Sequence, residues 1–198
     1  LALLQFICLA LGFLIPNFSQ IVTGENAFTA GCILLPGCIL GAAFAPLSGR
    51  IYDRFGPKRP ILLGSIFVII SLLSFNSTLS MASTAVLTVC YVFFAAGQGL
   101  SVGNILTYSL SVLPKEMKAD GNAVCNTVQQ LSGAIGTAAV AVIVAMEQMA
   151  RPWDFVGATA SGTALAFLMV LVMGVLQFLS MFFSFRKRKE HPVVQKAK

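Results

Sequence analysis

The sequence predicts an all-α membrane protein whose chain crosses the bilayer six times. Three observations carry that reading: an apolar excess too large for a water-soluble fold, six separated runs long enough to span hydrocarbon, and basic residues confined to alternate connections. Of the 198 residues, 57% are hydrophobic and only 10% are charged, and the mean hydropathy is +0.87. A soluble domain carries about a quarter charged residues. Polar side chains this sparse cannot coat a globule in water, so lipid has to be the solvent.

The runs fall at 1–22, 27–48, 60–76, 84–113, 122–146 and 162–185. A span needs about 20 largely apolar residues, and its amides must be bonded within the helix because hydrocarbon supplies no partner. The first run opens the chain. Residue 1 is Leu and no Lys or Arg precedes Arg50, so a cleaved leader is not expected and the start reads as an N-terminal truncation. The third begins at Pro60, a residue suited to a first helical turn. The fourth is uncharged throughout; at 1.5 Å per residue it would run about 45 Å, which fits one long tilted helix better than two spans. Gly97, Gly99 or Gly103 could bend it. The third and sixth runs are bland, with Ser65, Ser71, Ser74, Gln177 and Ser180 as their few polar groups. The fourth and fifth are far more polar. A bundle around an aqueous cavity shows this division, some helices facing lipid and others water.

Twelve of the thirteen basic residues fall on one side if the six runs alternate. They are Arg50, Arg54, Lys58 and Arg59 between runs two and three, Lys115 and Lys118 between four and five, and Arg186, Lys187, Arg188, Lys189, Lys196 and Lys198 after run six. Arg151 alone falls on the other side. Basic connections stay in the cytoplasm during insertion, so that side and the C-terminus are expected to be cytoplasmic. The basic run after the sixth span reads as a stop-transfer anchor against anionic lipid, and the +6 net charge calls for no nucleic-acid partner.

Other classes of function are not supported. The cysteines, Cys8, Cys32, Cys38, Cys90 and Cys125, all lie in apolar stretches, no two are spaced as CxxC, and the single histidine is His191 in the tail. That pattern offers neither a metal site nor a secreted disulfide framework, and the thiols are expected to be small packing residues. No nucleophile–base set is recognisable, so an enzyme is not expected, nor any cofactor.

Two features carry functional information. The first is the connection Gly49-Arg50-Ile51-Tyr52-Asp53-Arg54-Phe55-Gly56-Pro57-Lys58-Arg59. A glycine at a helix end permits close packing and a second lets the chain reverse. Asp53 can pair with Arg50 or Arg54, or cap the next helix. The second is a polar stripe on the fifth run. At about 100° per residue Asn122, Asn126, Gln129, Gln130, Gly133, Gly136 and Thr137 share one arc. Amides facing lipid would be costly, so the stripe faces protein or a water-filled cavity. The glycines suit helix–helix contact; four amides toward the cytoplasmic half suit a cavity wall. On the fourth run Ser101, Asn104, Thr107, Tyr108 and Ser111 share another arc, where Asn104 and Tyr108 would serve a ligand or bond between helices. Gln98 lies off that arc, and Gln5, Asn17 and Gln20 on the first run share no clean face.

The Gly49–Arg59 pattern resembles the signature loop of the major facilitator superfamily, with Gly49, Asp53, Arg54, Gly56, Lys58 and Arg59 filling it and Pro57 standing where many members carry a further basic residue. The resemblance implies a cytoplasmic latch between transporter halves, made by Asp53 and Arg54. Adding Leu35-Pro36-Gly37, Leu113-Pro114-Lys115-Glu116 and the fifth-run stripe, the chain is similar to the C-terminal half of fourteen-helix drug:proton antiporters, bacterial multidrug exporters. That implies a six-helix half-domain over 1–185 made of two inverted three-helix repeats, and a basic cytoplasmic tail over 186–198 in the bacterial inner membrane. It also implies a missing N-terminal half as partner, with small amphipathic drugs and protons handled by the intact protein. Substrate would meet Asn104, Tyr108, Asn122, Asn126, Gln129 and Gln130 near the midplane and exchange sides by alternating access. Other readings are a half porter for a sugar or another metabolite, and a truncated chain that transports nothing. Glu25, Glu147 and Asp154 sit at outer ends and no acid lies deep in a span, so this chain by itself is expected not to carry protons.

Overall fold

The computed structural model describes residues 1–79 and 83–187, and all regular structure among them is helical. The chain runs α1 (Ala2–Ile21), α2 (Ala27–Cys32), α3 (Leu35–Phe55), α4 (Lys58–Thr78), α5 (Thr84–Ser111), a 3-10 turn at Lys115–Met117, α6 (Lys118–Ala150) and α7 (Phe155–Lys187). Among the described residues six helical stretches are long and apolar enough to cross a membrane, the second of them α2 and α3 together. The basic run beyond Lys187, His191 and the tail as a separate unit lie outside the described residues.

Local sequence sets the ends. Asn26 caps α2, its Oδ1 accepting from the Thr29 amide at 2.8 Å. Ile33 and Leu34 separate α2 from α3, and Pro36, which has no N–H to give, sits in the first turn of α3 where none is required. Gly56 turns the chain between α3 and α4 at φ +78°, a left-handed value that a side chain resists. Asp154 caps α7, its Oδ1 accepting from the Gly157 amide at 3.0 Å.

The helices run past the apolar runs that announce them. Residues 49–55, read as connection, form the last two turns of α3, because Arg, Tyr and Asp are acceptable in a helix once it leaves hydrocarbon. The loop between α3 and α4 is thus two residues, Gly56 and Pro57. Uninterrupted over 28 residues, about 42 Å, α5 is a single helix. Gly97 and Gly99 serve contact there: a Cβ on Gly97 would stand 2.6 Å from the Gly64 carbonyl oxygen of α4, and one on Gly99 would stand 2.4 Å from the Gly41 oxygen of α3.

Packing follows a pattern that survives exchange of the first three spans for the last three. α5 lies along α3 as α1 lies along α6, α4 meets α5 as α7 meets α1, and α4 and α7 pack on each other. That is the signature of two three-helix repeats. The core lies between α1, α4, α5 and α7. Leu11, Leu14 and Ile15 of α1 are wholly buried there, and the rings of Phe75 and Phe167 stack with centroids 4.9 Å apart. The second and fifth spans, α3 and α6 at equivalent places in the two repeats, are the least buried.

On α4 and α7 the division of polarity is sharp. Leu63, Ile66, Ile70 and Leu73 form an exposed stripe on α4, and Leu168, Val172, Leu176 and Leu179 do so on α7. Ser65, Ser71 and Gln177 turn inward instead. Gln177 Nε2 donates to Ser65 Oγ at 3.0 Å, and Ser71 Oγ donates to the Cys90 carbonyl at 2.7 Å. Buried hydroxyls and amides need such partners, and lipid would supply none.

Candidate functional site

The basic end of the bundle is built by α3, α4 and the Gly56–Pro57 turn. Arg50, Asp53, Arg54, Lys58 and Arg59 are all exposed. The guanidinium of Arg59 stands 4.5 Å from the centroid of the Phe55 ring and that of Arg54 stands 5.3 Å from it. The ring's electron-rich faces thus hold both cations in place. Two expectations are corrected here. Among the described residues Asp53 forms no ion pair with Arg50 or Arg54 and does not cap α4, whose N-terminus lacks a side-chain cap. Nor is Gly49 a packing glycine, since a Cβ there would meet nothing within 4 Å. It sits inside α3 on a surface that this chain leaves open. Gly56 has the turning role expected of it.

The stripe on α6 divides along its length. Gln129 is buried, and its Nε2 lies 3.5 Å from Asn126 Oδ1. Gly133 packs under the Leu9 side chain, and a Cβ on Gly136 would stand 2.5 Å from the Phe6 carbonyl oxygen of α1. This part of the stripe joins helices. Asn122, Asn126 and Gln130, nearer the basic end, are exposed.

The α5 stripe is engaged within the bundle. Asn104 is buried and its Nδ2 donates to the Leu100 carbonyl at 2.8 Å and, across to α3, to the Ser48 carbonyl at 3.4 Å. The ring of Tyr108 packs on Phe185 of α7, centroids 5.6 Å apart. Ser101 is buried against α4, its Oγ 3.5 Å from the Ile61 carbonyl. Asn104 is thus tied to α3, and Tyr108 is packed on α7.

A space that the helical wheel did not indicate opens between α3 and α5. It measures about 380 Å³, is half open, and is lined mainly by small residues, among them Gly41 and Ala42, with Cys38, Tyr91 and Gln98 as its polar groups. Gln98 Nε2 donates to Cys8 Sγ of α1 at 2.9 Å, and Cys38 Sγ lies 3.9 Å from the Tyr91 hydroxyl. Cys8 packs against the core as expected while also accepting that hydrogen bond, whereas Cys38 is exposed and so departs from the packing role expected of it. Among the described residues no cluster of His, Cys, Asp and Glu has the makings of a metal site.

Six long apolar helices joined by carbonyl-tight glycine contacts, with a basic turn at one end, describe a multi-pass membrane protein. The chain belongs to the major facilitator superfamily, whose family model matches residues 1–137. Lincomycin resistance protein LmrB of Bacillus subtilis is 29% identical to it over 202 residues, covering 96% of this chain and 42% of that protein. The protein of the same name from Listeria monocytogenes is 33% identical over 186 residues, 89% of this chain and 39% of that one. Putative multidrug resistance protein MdtD of Yersinia enterocolitica is 27% identical over 134 residues, 68% of this chain and 29% of the other. The chain spans about two fifths of the length of its lincomycin-resistance relatives. These relatives are transporters by family, which points away from an enzyme.

Proposed function

We propose that this chain is the C-terminal half of a proton-coupled multidrug exporter that works by alternating access. Residues 1–185 would form the half-domain and 186–198 a basic tail on the cytoplasmic side of a bacterial inner membrane. The observation that carries the reading is the pairing of relatives named for lincomycin and multidrug resistance with a bundle whose α3 and α6 are left largely uncovered. A second six-helix body laid against those two helices would bury them and enclose a path between the halves. Asn122, Asn126 and Gln130 would line that path, with Gln129 behind them. Asn104 and Tyr108, engaged as they are, would hold α5 in register beside it. Asp53, which makes no ion pair among the described residues, would be the latch carboxylate, and an arginine or a helix N-terminus of the other half its partner. The described Asp and Glu residues all lie at or near helix ends. Proton uptake would therefore belong to the other half, because a proton carrier has to titrate within the path.

The test is efflux from drug-sensitive bacteria. The full-length transporter to which this half would belong should extrude lincomycin, and a protonophore should abolish that efflux; the chain alone should not extrude it. Asp53→Asn should lower efflux several-fold while membrane insertion is unchanged. Efflux by the six-span chain alone would overturn the half-transporter reading, and unaltered efflux by the Asp53 variant would remove the latch.

A further inference from the structure

The exposed amides of α6 stand on an open face, whereas a half-enclosed space lies between α3 and α5. We propose that this cavity is the ligand-contact site of the chain and that Gln98 is its specificity-determining residue. Its ligand would be an uncharged or singly cationic amphiphile, an apolar body bearing an N–H or O–H donor. The proposal rests on the export reading above and gives it a site and a substrate class.

The chemistry follows from what each polar group has left to offer. Gln98 gives Nε2 to Cys8 Sγ at 2.9 Å, which anchors the amide to α1 and leaves Oε1 without a partner among the described residues. A side-chain amide held from behind in this way presents an acceptor. Tyr91 is 6% exposed, and among the described residues its hydroxyl meets only the Cys38 sulfur, at 3.9 Å. Sulfur is a weak partner, so the phenol is free to turn toward a better one. No charged residue lines the space. An ion of high charge would lose its hydration there and gain no counter-charge, whereas an apolar body gains contact with Ala42 and Val102.

Size agrees. About 380 Å³ lies at the lower end of the range for small-molecule sites, roughly 300–1,000 Å³. The space lies beside the level at which Gly41 and Gly99 bring the two backbones together, where the lining is mostly alanine and glycine. The gap also touches the helix least buried in the bundle, so a ligand held there is at the surface a second half would meet.

The test is thiol protection in membranes holding the full-length transporter, with Cys32, Cys90 and Cys125 replaced by Ala and with Cys8 and Cys38 kept. N-ethylmaleimide modification of Cys38 is followed by mass spectrometry, with lincomycin as the donor-bearing probe and tetraphenylphosphonium as an apolar cation without a donor. Lincomycin at about four times its half-saturating level should slow Cys38 modification about fivefold. Gln98→Leu should weaken that protection about tenfold in concentration, the worth of one hydrogen bond, and leave tetraphenylphosphonium protection unchanged. Ala42→Leu, which fills the gap, should abolish protection by both. Cys38 that is unreactive without drug would mean that a helix of the other half fills the cavity, and the proposal falls. So it does if the transporter exports drug while Cys38 reacts at one rate throughout. Protection of Cys38 without export would instead retain the site and overturn the export reading.

Discussion

Gly136 places the Phe6 carbonyl oxygen where a side chain would have to be, at 2.5 Å from a built Cβ. Backbone cannot swing aside as the tip of a lysine can, so any larger residue must push α6 off α1. Gly136→Leu should therefore lower the Tm of the detergent-solubilised protein well beyond the effect of Gly12→Leu, where a Cβ meets nothing within 4 Å. Overpacking a close contact typically costs about 1–3 kcal/mol. Equal losses at the two positions would mean that the helices do not approach here as described. At this scale the sequence was partly legible. Gly136 could be recognised as a contact glycine from its place among amides on one arc. Gly49 could not be told from Gly56, since a motif does not say which glycine bears a left-handed φ and which faces a missing neighbour. Asp53 was expected to find a local cation, but Phe55 takes both Arg54 and Arg59 instead.

Helix α6 serves two surfaces in succession. Its far part, through Gly133 and Gly136, is bound to α1; its near part carries Asn122, Asn126 and Gln130 in the open. Asn126→Leu should therefore leave the unfolding free energy within about 0.5 kcal/mol of wild type, as exposed sites do, yet change which drugs the full-length transporter expels. A profile identical to wild type for several chemically distinct drugs would assign the stripe to packing alone. The six spans were readable because hydrocarbon demands about 20 apolar residues of each. Their ends were not, because a helix that emerges into water loses the hydropathic mark but keeps its hydrogen bonds. The same limit hid Gln98. A helical wheel ranks residues around one axis, and Gln98 lies off the arc of Ser101 and Asn104. Whether it meets a space depends on where α3 touches α5, a fact of tertiary packing.

For the whole molecule, orientation in the bilayer follows from the basic turn between α3 and α4. A single cysteine placed at Lys58 in an otherwise cysteine-free full-length protein should react with an impermeant maleimide in inverted vesicles and not in intact cells, whereas one placed at Trp153 should react in intact cells. Trp153 is 81% exposed beyond the end of α6, so access is not limited by packing. The opposite pattern would invert the bundle and discard the cytoplasmic latch.

The Gly56–Pro57 turn bears on how such a half would move. Two residues leave almost no slack, and proline's ring fixes one of the few torsions available. α3 and α4 therefore act as a tie rod: a shift of α3 along its axis is handed to α4 within a few bonds. If the exposed stripe of leucine and isoleucine on α4 faces lipid, resistance from the acyl chains would be felt directly at α3, the helix proposed above to meet a second half.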